Sequence, residues 1–340
     1  MASTKSRSTT AKQAKPKPRA NAKQKASPSA STGPRTKAAK AASAASKRGA
    51  KSAAASSGIT SKSPATRGAG APGIRLGFLG GGNMAEAMVK GLIAAGDAPA
   101  SILVAEPDAA RRRLLAKRYG VGVTADNAEV QASAPTVVLA VKPQVLGEVL
   151  AALAPAVTGR ELFVSIAAGV MLARIEQVLG PHARVVRVMP NTPCLLGQGA
   201  SVLCAGSRAT RADAKLVKSL FAAVGDAHEV TDEKQMHAVT ALSGSGPAYV
   251  YRFAEALVDG AARAGLPEDL ARALTYRTIA GAAAMMIETG QDPADLRRAV
   301  SSPGGTTLAG LGAMEEKGFP ESVRAALQAA ARRSVELGKA

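Results

Sequence analysis

The chain has 340 residues, 46% of them hydrophobic, which is enough for two domains around a sizeable core. Aromatic residues are only 3% and Trp is absent, so Ala, Val and Leu must fill that core, and no run of about 18 apolar residues offers a membrane span. The net charge of +19 is concentrated: residues 1–70 hold 16 of the 44 Lys and Arg and no acid, leaving 28 basic against 25 acidic residues, so high basicity does not mark the remaining body as nucleic-acid-binding.

Residues 1–72 form a Lys/Ala/Ser-rich tail with almost no large apolar side chain. Such a segment cannot bury enough surface to offset its ordering entropy, and disorder is expected. A solvated extension is the leading reading. Salt-dependent phosphate contacts to nucleic acid or another anionic surface compete with it, as does a targeting role. Against targeting, the tail is long and Lys-heavy, with neither an amphipathic apolar stripe nor the apolar run of a secretory signal.

Order begins near Ile74. Ile74–Leu79 reads as a short buried strand, followed by Gly80-Gly81-Gly82-Asn83-Met84-Ala85 and a helical pattern through Gly96, with Met84, Met88 and Leu92 on one face. Strand, glycine turn and helix place the G-x-G-x-x-A dinucleotide fingerprint in its required context. Gly80 permits the tight turn, Gly82 lets the backbone approach a pyrophosphate, and Ala85 allows helix and strand to pack closely. The helix N-terminus attracts the phosphate charge.

A second strand, Ser101–Ala105, ends at Glu106. An acid there accepts from an adenosine ribose hydroxyl and favours NADH, whereas Arg111, Arg112 and Arg113 either meet the 2′-phosphate of NADPH or line a solvated helix face. Val121–Thr124 is a short strand and Asn127 begins a helical turn. Thr136–Val141 is a buried strand leading into Lys142-Pro143. Glu161–Ala167 leads into Ala168-Gly169, and Arg184–Val188 into Met189-Pro190-Asn191-Thr192-Pro193. Alternating strands and helices imply a parallel, doubly wound α/β sheet over residues 73–232, with ligands at the strands' carboxyl ends. From about Asp232 the strand signals stop. Residues 233–340 read as an all-helical domain with breaks at Ser243–Pro247, Gly265–Pro267, Gly290–Pro293 and Ser301–Gly305. Its Ala- and Leu-rich helices, Ala254–Ala264 and Leu270–Ile287, suit packing on a partner chain, so a homo-oligomer is expected.

Cys194 and Cys204 lack metal-ligand spacing, and His182, His228 and His237 are scattered, so no metal site is expected. Two isolated thiols suit buried structural positions and a reducing cytoplasm. Pro303-Gly304-Gly305 before a helix offers free amides to an anion, although a plain glycine-rich cap would look the same.

Gly77–Ala85, Val141-Lys142-Pro143, Met189–Pro193, Leu242–Tyr249 and Ser301–Thr307 together resemble the pyrroline-5-carboxylate reductase family in order and spacing, over roughly residues 74–338. The last two segments are the specific ones, and the tail lies outside the match. The resemblance implies a Rossmann domain plus a helical dimerisation domain, a homodimer whose dimers can form a decamer, and reduction of 1-pyrroline-5-carboxylate to L-proline, the final step of proline biosynthesis, with NADPH or NADH. It implies that Gly80, Gly82, Asn83 and Met84 hold the pyrophosphate, while Asn127, Ala140, Lys142, Pro143 and Ala168 line the rest of the nucleotide site. Lys142 is otherwise an ordinary strand-end lysine. The resemblance further implies that Ser302 donates its hydroxyl to the substrate carboxylate and that Thr306 and Thr307 give backbone amides beside Gly305. It sets the Thr307 hydroxyl near the ring nitrogen as the proton relay, with Thr240 a nearby polar contact. No His or Lys stands out as a general acid, which is tolerable because an imine takes a proton from solvent near neutral pH, leaving catalysis to proximity.

Two other classes compete. One is another Rossmann imine reductase or a reductase of the β-hydroxyacid dehydrogenase type; the latter shares this two-domain plan but uses a catalytic lysine on an early helix of the second domain, where only Lys234 stands, and its substrate motifs differ. The other is a nucleic-acid-binding protein whose Rossmann body is a passenger of the tail; if deletion of residues 1–70 abolishes DNA binding and leaves reductase activity intact, the tail is an add-on.

Overall fold

The computed structural model describes residues 73–338, so the expectations for the basic tail lie outside the described residues. The first half alternates strand and helix: β1 (Leu76–Leu79), α1 (Asn83–Ala94), β2 (Ile102–Ala105), α2 (Ala109–Tyr119), β3 (Gly122–Thr124), α3 (Asn127–Ser133), β4 (Thr136–Leu139), α4 (Pro143–Leu153), β5 (Leu162–Ser165), α5 (Leu172–Leu179) and β6 (Arg184–Met189). It closes with β7 (Gly199–Ala205), α6 (Arg211–Ala222) and β8 (Gly225–Glu229). The sheet order is β3-β2-β1-β4-β5-β6-β7-β8. Every neighbouring pair is parallel except β6 and β7. This is the doubly wound sheet expected from the sequence, with the strand order reversing between β1 and β4.

The central strands β1, β2, β4 and β5 are buried along their whole length, as expected of strands covered on both faces. Side chains alternate: Leu76 and Phe78 enter the layer shared with α1 and α6, while Leu79 enters the layer beneath α3, α4 and α5. Gly77 faces that second layer, where a Cβ would collide with Val130 of α3. Burying a side chain such as Phe78, which is fully inaccessible, is worth about 1.5–3 kcal/mol. Cys194 and Cys204 are both free and buried, one in each layer. Burial pushes the Cys204 thiol up, and Glu233 adds to the effect.

Two strands go beyond the sequence reading. β7 runs antiparallel to β6, placing Met189 opposite Val202, and β8 then pairs parallel with β7. Gly225 has a φ of +143°, and a Cβ there would meet the Gly199 backbone, so β7 and β8 approach at two glycines.

The second half is helical: α7 (Gln235–Val239), a π turn (Thr240–Gly244), α8 (Gly246–Arg263), α9 (Glu268–Thr289), α10 (Pro293–Ala299), α11 (Thr306–Glu316) and α12 (Phe319–Leu337). The break expected at Ser243–Pro247 is instead a π turn running into α8. Pro247 falls in that helix's first turn, where its missing amide costs nothing. Few residues here are buried within one chain. Val250, Tyr251, Phe253, Leu257, Leu274 and Tyr276 of α8 and α9 remain exposed. No helix among the described residues is long and apolar enough to cross a membrane.

Candidate active site

The carboxyl ends of β1, β2, β4 and β5 stand level, because Leu79, Ala105, Leu139 and Ser165 pair in register. The residues after them open one edge. Gly80 donates its amide to the Ala105 carbonyl (2.8 Å), and Ala140 donates to the Leu79 carbonyl (2.8 Å). Gly80 and Ala140 therefore sit side by side where the strand order reverses. Gly80 has a φ of +97°, and a Cβ there would lie 2.9 Å from the Ala140 carbonyl oxygen, so both conformation and space demand glycine.

Gly82 behaves differently. A Cβ there would meet nothing within 4 Å, so the space in front of it is free. Gly82 is also the N-cap of α1, and no side chain accepts from the helix's first amides. An exposed, uncapped helix start beside a glycine without neighbours fits a diphosphate: charge, donors and clearance coincide. Asn83 is exposed there, Met84 is half-buried, and Ala85 is buried against the sheet.

Glu106 turns back onto the glycine turn. Its Oε2 accepts from the Gly81 amide at 2.8 Å and its Oε1 from the Asp108 amide at 3.0 Å. Arg111 is not on a free solvated face. Its Nε donates to the Gly81 carbonyl (2.6 Å) and its Nη2 to Glu86 (2.6 Å). Arg112 donates to the carbonyls of Glu106 (2.6 Å) and Pro107 (2.8 Å). Of the three, Arg113 alone is exposed; Arg111 and Arg112 are half-buried. Burial raises the Glu86 carboxyl, but hydrogen bonds from Tyr119 and Arg111, with the charges of Arg111 and Arg118, outweigh it and hold Glu86 below the usual carboxylate range. Burial, and then the hydrogen bond to Glu86, push the Tyr119 hydroxyl up.

The other expected nucleotide residues follow the same edge. Asn127 begins α3, whose cap Asp126 accepts from Ala128. Lys142 is the exposed N-cap residue of α4 and Pro143 opens that helix. Ala168 is exposed in the turn after β5, followed by Gly169 with a φ of +79°.

The second cluster lies between α10 and α11. Gly304 has a φ of +68°, and Gly305 is the N-cap of α11 with no side chain on the helix's first amides. A Cβ on Gly305 would lie 2.5 Å from the Ser302 Oγ and 3.1 Å from its carbonyl oxygen, so a larger residue there would push the Ser302 hydroxyl aside. Thr306 and Thr307 are the first two residues of α11, and Ser302 is exposed beside them. Within one chain α11 packs on α12, and no hydrogen bond among the described residues joins this loop to the sheet. One chain thus gathers the expected nucleotide residues and, separately, the expected carboxylate grip.

Thr240 belongs to the π turn and spends its hydroxyl hydrogen on the Met236 carbonyl (2.7 Å). That turn rests on the end of β6. The Asn191 Nδ2 donates to the Ser243 carbonyl (3.2 Å), while its Oδ1 accepts from the Ala200 amide (2.9 Å). Asn191 is a positioning residue that the sequence named without a role. Its place between two prolines after a buried strand was the available signal. A second tie is ionic. Arg187 of β6, 1% exposed, donates to Glu233 (2.8 Å), whose same oxygen accepts the Leu172 amide that opens α5 (2.7 Å).

Comparison with known proteins gives a consistent result. Residues 233–337 match the family model described as pyrroline-5-carboxylate reductase dimerisation, and residues 75–169 match that described as NADP oxidoreductase coenzyme F420-dependent. A pyrroline-5-carboxylate reductase of Synechocystis sp. is 46% identical over 267 residues, 78% of this chain and 99% of the relative. One of Pseudomonas aeruginosa is 44% identical over 265 residues, 78% of this chain and 97% of the relative. Among solved structures, a pyrroline-5-carboxylate reductase of Coxiella burnetii superposes with a TM-score of 0.75 at 39% identity, covering 78% of this chain and 99% of its own. A Plasmodium falciparum pyrroline carboxylate reductase with NADP bound superposes at 0.70 and 34% identity, over 79% and 100%.

Proposed function

This chain belongs to the pyrroline-5-carboxylate reductase family, and on that premise we propose that it reduces 1-pyrroline-5-carboxylate to L-proline with a reduced nicotinamide dinucleotide. The observation that carries this reading is a pair of helix starts, Gly82 before α1 and Gly305 before α11, each capped by a glycine with no side chain on its free amides. One suits a diphosphate and the other a carboxylate. The cofactor, when bound, supplies the hydride.

The protein's own part is positional. Gly80, Gly82, Asn83 and Met84 cradle the diphosphate, and Asn127, Ala140, Lys142, Pro143 and Ala168 border the nucleotide. The amides of Thr306 and Thr307 and the hydroxyl of Ser302 hold the substrate carboxylate beside Gly305. Thr240, its hydrogen committed to Met236, presents lone pairs to a polar substrate edge. The Thr307 hydroxyl relays a solvent proton to the ring nitrogen, and the positively charged carbon–nitrogen double bond so formed accepts the hydride at carbon. Holding the reactants together in this way replaces a strong side-chain acid.

The carboxylate grip of one copy meets the nucleotide edge of another in a homodimer. The exposed apolar faces of α8 and α9 support this pairing, since they would be covered there. Assembly of such dimers into a decamer is a further step in this reading, as is operation in the cytoplasm, where two free, buried thiols are at home. The test follows loss of reduced-nicotinamide absorbance on adding 1-pyrroline-5-carboxylate, with L-proline identified as product. Thr307→Ala is expected to lower kcat about 100-fold without abolishing it. Unchanged kcat and KM would remove Thr307 from the mechanism, and absence of proline would end the reading.

A further inference from the structure

Resting on the dinucleotide reading above, we propose that Glu106 makes this chain selective for NADH over NADPH. The residue directly follows β2, where the adenosine ribose of a dinucleotide lies when its diphosphate sits on the neighbouring glycine turn. What the fold adds is that this carboxylate is fixed. The Gly81 amide holds one oxygen at 2.8 Å and the Asp108 amide holds the other at 3.0 Å. The packing is close: a Cβ on Gly81 would lie 3.3 Å from the Glu106 Cβ and 2.8 Å from Leu115 Cδ1. Swinging Glu106 aside to admit a bulky anion would forfeit both backbone bonds.

Each carboxylate oxygen retains a lone pair. A ribose with a free 2′-hydroxyl can donate to it. A 2′-phosphate brings about two negative charges and no hydrogen to share at neutral pH, so it meets like charge at a site that cannot retreat.

Two of the three arginines that could offset this repulsion are already engaged. Arg111 is held by the Gly81 carbonyl and by Glu86, which Tyr119 also grips (2.7 Å). Arg112 is turned onto the carbonyls of Glu106 and Pro107. Swinging either side chain away to meet a phosphate would give up these bonds within the turn. Arg113 stands on the exposed face of α2.

Direct titration of the full-length chain with NADH and with NADPH, without substrate, tests the inference, read by nicotinamide fluorescence or calorimetry. NADH is expected to bind about tenfold tighter or more. Glu106→Gln keeps an acceptor for the Gly81 amide and removes the charge, so it should narrow that ratio about tenfold, chiefly by tightening NADPH. Equal or tighter binding of NADPH by the wild type would overturn the inference, as would an unchanged ratio in a folded Glu106→Gln. Should the variant fail to fold, the wild-type ratio decides alone. Binding of neither nucleotide would sink the dinucleotide reading and this inference together. NADH-selective binding without proline formation would sink the proposed activity and leave the inference standing.

Discussion

Removing Glu233 should destabilise the protein far more than its place in a loop before a short helix would imply. Its partner Arg187 is 1% exposed inside β6, whereas the Glu233 side chain is 18% exposed. At 2.8 Å and an effective dielectric constant of about 20, the Coulomb attraction is about 6 kcal/mol before desolvation is subtracted. Glu233→Ala would strand a buried guanidinium whose Nη2 already has no partner, and would leave the Leu172 amide without its acceptor. Breaking a buried pair costs about 3–5 kcal/mol, and the partial exposure of Glu233 lets water recover some of that, so about 3 kcal/mol is expected. At about 2–4 °C per kcal/mol for a body of this size, Tm falls by about 6–12 °C. The assay is urea unfolding at fixed protein concentration, because association would otherwise shift the midpoint. The double variant Arg187→Met, Glu233→Leu removes both charges and should recover most of the loss. A cost below about 1 kcal/mol, or a double variant no better than the single, would refute the reasoning.

Three further outcomes are expected. Gly80→Ala forces a φ of +97° on an L residue and sets its Cβ 2.9 Å from the Ala140 carbonyl, so it should cost about 1–3 kcal/mol and weaken nucleotide binding; Gly147→Ala, in open space on α4, should do neither, and equal effects in thermal shift would contradict this. Asn191→Ala severs both bonds that tie β7 and the π turn together; it should cost about 1–3 kcal/mol and raise KM for the substrate while the nucleotide Kd holds, and a change confined to the nucleotide would place Asn191 elsewhere. Burial first, and then the Arg187 charge, lower the pKa of His237 below 6.5 in the folded chain, with Glu233 opposing. The unfolded chain therefore takes up this proton first, and the stability present above about pH 6.5 drains away as pH falls below it. Urea midpoints should decline over that window in the wild type and less in His237→Gln, and parallel profiles would exclude the histidine.

Much of the first domain was legible because its causes are local. Gly80 must adopt a positive φ, Gly82 must leave its helix uncapped, and the buried runs at Leu76–Leu79 and Thr136–Leu139 have the length and apolarity of strands covered on both faces. The β8 strand Gly225–Glu229 carries no apolar pattern, since it is a half-covered edge, and only pairing with β7 makes it a strand. The run Gly199–Ala205 does alternate in burial, yet its antiparallel partner is set by the loop that Asn191 braces. The expected break at Ser243–Pro247 falls at a π turn whose Ser243 carbonyl accepts from the Asn191 Nδ2, 52 residues away along the chain.

For the candidate site, spacing alone named the glycine turns and the acid after β2, because close approach and helix-end charge depend on a few adjacent residues. It could not show that Glu106 is pinned to Gly81, that Arg111 is already bonded to Glu86, or that Glu233 answers a buried arginine 46 residues earlier. Those facts depend on which side chains the sheet order brings within hydrogen-bond reach. Local chemistry therefore chose the parts, while the long-range pairing of β1 with β2 and of β6 with the turn before α7 decided which charges are free to meet a ligand and which are spent holding the protein together.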